Sequence, residues 1–286
     1  MTTLTTGRPT HTVITSDQQS MSSGLRELLD YRDLILLFVK RGFVVSYTQT
    51  ILGPLWLLLR PLMTSIMYLV VFGNIARLGT NGVPGILFYM AGNALWSFFS
   101  QSFSSNANTF SDNAGLFGKV YFPRLTIPLA NVVSAAATFL INLSLVVVVY
   151  LWFLAQGVMG LPGVAILLLP LVLIQLGILG LSCGIIFSSL TTRYRDLGVL
   201  VGFGISLWMY ATPVVYPLSE ISSPLLKTLV CINPVTAPME LFRLGLFGTG
   251  DVIPWSIALS WAITLVLLVV GTKTFSRVER HFIDTV

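Results

Sequence analysis

Six apolar segments, each near the length needed to cross a bilayer, constrain this chain more than any other feature of its sequence. They run over about residues 55–75, 84–103, 127–154, 164–190, 199–215 and 253–272. A helix rises about 1.5 Å per residue and the hydrocarbon layer is about 30 Å thick, so about 20 apolar residues make a crossing. The fifth segment is short, and the third and fourth are long enough to tilt. Composition agrees with this reading: 55% of residues are hydrophobic, only 9% are charged, and the mean hydropathy is +0.85. Those values belong to helical membrane proteins rather than soluble domains.

A polar break separates the second and third segments. Residues 105–126 contain NANTFSDNAGLFGKVYFPRLT, with Asp112, Lys119 and Arg124, and such a stretch in hydrocarbon would leave polar groups without partners. It must face water or another protein. With the N-terminus inside, 13 of the 16 Lys and Arg fall on the cytoplasmic side, leaving Arg77, Lys227 and Arg243 outside. That asymmetry predicts both termini in the cytoplasm. The net charge of +5 is scattered rather than gathered in a stripe, which argues against nucleic acid as a partner. The two cysteines, Cys183 and Cys231, lie in or beside apolar segments and are read as packing residues.

Residues 1–23 are rich in Thr and Ser and lack the apolar run of a signal peptide, so a disordered cytoplasmic tail is expected there. Residues 24–286 then form a single membrane domain. From 24 to 44, Leu25, Leu28, Leu29, Ile35, Leu36 and Val39 recur at helical spacing against a charged face, which predicts an amphipathic helix lying in the interface plane. An ordinary solvated helix remains the alternative. Arg60 falls inside the first span beside Pro61, placed either as an interfacial anchor or as a contact facing a lumen. Between the fifth and sixth spans, residues 217–252 hold two short runs broken at Asn233-Pro234, where a helix is disfavoured from continuing. Neither run can cross, so re-entrant helices or a surface cap are expected, with Glu240 and Arg243 spaced to pair. The spacings Gly180 to Gly184 and Gly198 to Gly202 allow close helix approach. The expected fold class is therefore all-α: six transmembrane helices preceded by an interface helix, with short re-entrant helices before the last span.

Chemistry of the catalytic kind is missing from the pattern. His11 and His281 sit near opposite ends, and no two carboxylates share a span, so neither a catalytic nor a metal site is expected. A Walker loop ending at Gly118-Lys119 would need glycine at 113 and Ser or Thr at 120, where Asn113 and Val120 stand. The chain is not expected to hydrolyse ATP itself. A secondary transporter would place ionisable groups near the midplane, and these spans carry no Asp, Glu or His. Energy supplied from outside the chain is the simpler inference.

The ordered features Leu52-Gly53-Pro54-Leu55-Trp56, Arg60-Pro61, Gly92, Trp96-Ser97-Phe98-Phe99, Lys119-Val120-Tyr121-Phe122-Pro123-Arg124, Arg193-Tyr194-Arg195-Asp196-Leu197, Pro213-Val214-Val215-Tyr216-Pro217 and Asn233-Pro234 carry a resemblance. Over about residues 24–286 the chain resembles the membrane permease of bacterial ABC transporters that export polysaccharide, the O-antigen, capsule and teichoic-acid class. The resemblance implies a homodimeric channel in the bacterial inner membrane, with two separate ATPase subunits binding ATP and Mg. It implies a lipid-linked polysaccharide as substrate, entering near the Leu52-Gly53 loop. By position, Thr109 to Gly118, including Asp112, Asn113, Leu116 and Phe117, resembles a helix that docks on the ATPase. Arg193, Arg195 and Asp196 are expected as cytoplasmic contacts. Pro217, Asn233, Pro234, Glu240 and Arg243 are expected in the extracytoplasmic gate.

The residues support part of that mechanism directly. Trp96, Phe99 and Phe103 share one face of the second span and could stack on sugar CH faces along a lumen, or equally pack in a core. Arg60, Lys40 and Arg41 could attract a pyrophosphate headgroup, or equally anionic membrane lipid. An exporter of the same architecture carrying teichoic acid, capsule, lipid or drug, and a scaffold in a glycan-synthesis complex, are the rival functions.

Overall fold

The computed structural model describes residues 31–47, 51–117, 122–191 and 196–283, and among these every regular element is helical. The expected tail, residues 24–30 of the interface helix, Lys119, Arg193 and Arg195 lie outside the described residues.

The first helix, α1 (Arg32–Tyr47), precedes a composite rod, α2 (Gly53–Ile75). This rod opens with a 3-10 turn at Gly53–Leu55, continues as an α-helix through Tyr68 and ends as a π-helix over Leu69–Ile75. Gly53 has φ +50°, a left-handed conformation that glycine adopts without steric cost, and it turns the chain into the rod. Pro61 sits inside the rod with no N–H to give, and its own carbonyl accepts from Ser65 Oγ at 2.7 Å and Asn93 Nδ2 at 3.4 Å.

Next come α3 (Gly85–Ala107), the short α4 (Thr109–Phe117), α5 (Thr126–Ala155) and α6 (Val164–Thr191). They are followed by α7 (Leu197–Tyr210), α8 (Pro224–Ile232), α9 (Thr236–Phe247) and α10 (Pro254–Ile283). Among the described residues four helices are long and apolar enough to cross a membrane: α2, α5, α6 and Pro254–Val278 of α10. Counting α8 and α9, bent by 94° at Asn233-Pro234, as one broken span makes five. The short fifth segment is the 14-residue α7, about 21 Å long, because the helix stops at Tyr210 instead of running on to Val215.

At the centre lies α3, every residue from Leu87 to Trp96 being buried. It packs against α6, α5, α2 and α7, while α6 is backed by α10 and α1 lies on α5. Its serines and asparagines explain both its lower hydropathy and its place, since a helix wrapped by other helices can satisfy polar groups that lipid cannot. Asn131 Nδ2, for instance, donates to Ser105 O and Asn106 Oδ1, each at 3.2 Å. The α3–α6 seam depends on glycine. A Cβ on Gly180 would stand 2.7 Å from Ser102 Cβ, and one on Gly184 would stand 2.9 Å from Phe103 O. The other glycine pair serves no such seam: nothing approaches Gly202, and only Asn108 Oδ1 comes near Gly198.

Candidate functional site

Two constellations lie toward opposite ends of α3: the first meets it at Phe88 and Gly92 and the second follows Ala107, about 25 Å away along the helix axis. The first is built on α9. Residues 240 and 243 are one turn apart, so their side chains meet: Arg243 Nη1 donates to Glu240 Oε1 at 2.9 Å. The pair is buried, Arg243 being only 2% exposed, and both terminal nitrogens of the guanidinium are matched although Nε has no hydrogen-bond acceptor. Arg243 Nη2 donates to Val214 O at 3.0 Å, Nη1 reaches Tyr216 O at 3.5 Å, and the guanidinium lies 4.1 Å over the Phe88 ring. The remaining carboxylate oxygen of Glu240 accepts from Asp251 N at 2.9 Å. One arginine thus ties together α3, α9 and the non-helical stretch after α7. Gly92 makes the approach possible, because a Cβ there would lie 2.6 Å from Val214 O.

Beside this clamp the Asn233-Pro234 break ends α8, whose Val230 carbonyl still accepts from Asn233 N at 3.2 Å. Neighbouring hydroxyls add bonds to the carbonyls around the break. Thr236 Oγ1 donates to Val230 O, Ser256 Oγ to Cys231 O and Ser260 Oγ to Pro234 O, while Gln175 Nε2 donates to Ser260 Oγ at 2.6 Å. Asn233 is the hub of the bend. Its amide donates to Ala211 O at 3.1 Å and Thr212 Oγ1 at 2.8 Å, and its Oδ1 accepts from Trp208 Nε1 and Val235 N, both at 3.1 Å. Pro217 is buried where the stretch from α7 turns into the 3-10 turn Leu218–Glu220. Pro217, Asn233, Pro234, Glu240 and Arg243 therefore gather at one end of the bundle.

The second constellation surrounds α4. Phe110 stacks on Phe275 of α10 with ring centroids 4.7 Å apart, Phe110 N donates to Ser188 Oγ at 3.3 Å, and Thr191 Oγ1 donates to Ala107 O at 3.1 Å. So anchored, α4 presents Ser111, Asp112 and Gly115 outward, with Leu116 half-buried. Asn113 breaks the helical geometry at φ −119°, ψ 15°, which kinks the elbow. Partial desolvation pushes the Asp112 carboxyl above its ordinary value even though the residue is exposed. The side chain of Phe117 lies outside the described residues. Asp196 is exposed at the start of α7, where its carbonyl accepts from Val199 N and Leu200 N.

The aromatic stripe of α3 is a packing feature in this structure. Trp96, Phe99 and Phe103 are buried, Phe99 packing edge-on to Trp208 at 5.2 Å and Phe103 against Phe187 at 5.4 Å. The core alternative therefore describes them, because α7 and α6 cover the face on which they lie. Arg60 is exposed on α2, on the same strip as Trp56, Met63 and Met67, and Leu52 is exposed at the foot of that rod. Among the described residues no cluster of His, Cys, Asp or Glu could hold a metal ion.

The clamp's other members could not be found from the sequence. Val214, Tyr216 and Asp251 contribute backbone atoms, which leave no residue-type signal, and Phe88 lies more than 150 positions upstream of Arg243.

The profile of the ABC-2 type transporter family matches residues 33–247. The O-antigen export system permease protein RfbA of Myxococcus xanthus is 29% identical over 266 residues, 92% of this chain and 98% of that protein. Two proteins of the same description from Klebsiella pneumoniae are each 28% identical over 254 residues, 88% of this chain and 94% of theirs. These relatives are named as permeases, not as enzymes. With most of its length matched and its helices built for a bilayer, the chain belongs to the ABC-2 type transporter family of membrane permeases.

Proposed function

We propose that this chain is the channel-forming subunit of an ATP-driven exporter that moves a lipid-linked, O-antigen-like polysaccharide outward across the bacterial inner membrane. Six spans cross the bilayer, with α3 and α7 completing the set, α1 in the interface plane and both termini cytoplasmic. A separate ATPase, bound twice per homodimer, holds ATP and Mg and pushes on α4. The Leu52-Gly53 loop with Arg60 meets the lipid pyrophosphate, and α8 and α9 form the extracytoplasmic gate.

The observation that carries this reading is the α4 elbow. It is fastened to α6 and α10, presents Asp112 outward, and sits about 25 Å along α3 from the Arg243 clamp, so a push on it moves the bundle as a body. Family membership and the permease names of the relatives supply the class of machine. Burial of the α3 rings moves the candidate channel wall to the exposed strips of α2 and α7, joined where Tyr68 Oη meets Met209 Sδ at 3.1 Å. Trp56, Phe203 and Tyr210 on those strips offer flat faces for sugar CH groups, and two copies closing there would enclose a path.

The test is a strain lacking this chain. Lipid-linked glycan accumulates on the cytoplasmic side and is cleared when the wild-type gene is restored, but not when the Asp112→Lys variant is supplied. Normal glycan export without the chain overturns the proposal.

A further inference from the structure

The outward face of α1 carries two properties that only one environment reconciles. Exposed and half-buried positions alternate in pairs along the helix: Leu34, Ile35, Phe38 and Val39 turn toward the bundle, while Leu36, Leu37, Lys40 and Arg41 turn away. Leu36 is 60% and Leu37 61% exposed. A face bathed in water would gain nothing from two such leucines, and a face sunk in hydrocarbon would strand two adjacent cations. At the boundary between headgroups and acyl chains the leucines enter the apolar layer and the long basic side chains reach outward to the phosphates. The single ion pair on this face, Arg32 with Asp33 at 3.9 Å, lies at the other end of the helix and leaves Lys40 and Arg41 without an acidic partner among the described residues. The second half of the face is therefore cationic.

We propose that the outward face of α1 docks on anionic phospholipid of the bilayer, with Lys40 and Arg41 holding headgroup phosphates beside Leu36 and Leu37. The inference rests on the interfacial placement of α1 proposed above. It separates Lys40 and Arg41 from Arg60, which lies on the strip of α2 assigned to the substrate. Lipid of this charge then helps hold α1 against α5, the helix that it packs on.

The full chain is labelled with bimane at Leu37→Cys, with Cys183 and Cys231 replaced by alanine, and placed in vesicles containing brominated phosphatidylcholine or brominated phosphatidylglycerol. Brominated phosphatidylglycerol is expected to quench more strongly at equal mole fraction. Each of Lys40→Gln and Arg41→Gln is expected to weaken this preference about fivefold, the factor for about 1 kcal/mol per basic residue at an anionic surface. Lys40→Arg retains it, and raised salt reduces it. Equal quenching by the two lipids, unchanged in the Gln variants, overturns the headgroup assignment alone. No quenching by either lipid overturns the interfacial placement as well. Displacement of the brominated phosphatidylglycerol by one mole per cent of a polyprenyl pyrophosphate returns these cations to the substrate and overturns the proposal.

Discussion

At the residue scale the buried Glu240–Arg243 pair stands on a balance that can be measured. Each member satisfies the other and a set of backbone groups, so removing one leaves an unmatched charge under α3. Arg243→Met or Glu240→Leu alone is expected to cost about 3–5 kcal/mol of stability, whereas the double variant is expected to cost much less, as read by thermal unfolding in detergent. Additive losses would show that the two charges act separately. Asp112 behaves in the opposite way. Its carboxyl is raised by partial desolvation, so the folded chain favours the protonated form; any stability from this group is present at acid pH and lost as pH rises through the raised value. At pH 7, Asp112→Asn is expected to leave the Tm unchanged or slightly higher while lowering ATP turnover of the assembled complex. A falling Tm with normal turnover would make Asp112 a structural residue. The i, i+3 spacing of 240 and 243 was legible in the sequence. Their burial was not, because the groups that complete the site are carbonyls and a ring brought in from other elements.

At the scale of elements, the α3–α6 seam shows how little of a glycine's meaning its spacing carries. Two pairs of glycines share the same four-residue interval, yet only Gly180 and Gly184 face a neighbouring backbone. Gly184→Ala is expected to destabilise by about 1–3 kcal/mol through overpacking, and Gly202→Ala, which meets nothing, to be neutral, both read by thermal unfolding. Equal effects would mean that helix propensity rather than contact decides. The bend at Asn233-Pro234 was legible, since proline removes a donor and disfavours helix in the residue before it. Which hydroxyls bond to the carbonyls around the break was not, because Ser256 and Ser260 belong to a helix that could have packed elsewhere.

For the whole molecule, the exposed strips of α2 and α7 predict how two copies meet. In membranes, Met67→Cys or Tyr210→Cys is expected to crosslink to the same residue of a second copy, while Leu140→Cys on the outward face of α5 is not. Crosslinking through Leu140→Cys alone would move the channel to α5. Period and composition alone were enough for the helices, the several apolar spans, the break at Asn233-Pro234 and the family resemblance. Direction, by contrast, came from the packing of one helix on another. A stripe such as Trp96, Phe99 and Phe103 looks the same in a list whether it meets lipid, a lumen or another helix, because all three offer it an apolar or aromatic surface. Only the packing of α6 and α7 over that face made it core, and only the return of the chain after α7 brought Val214 and Tyr216 to Arg243.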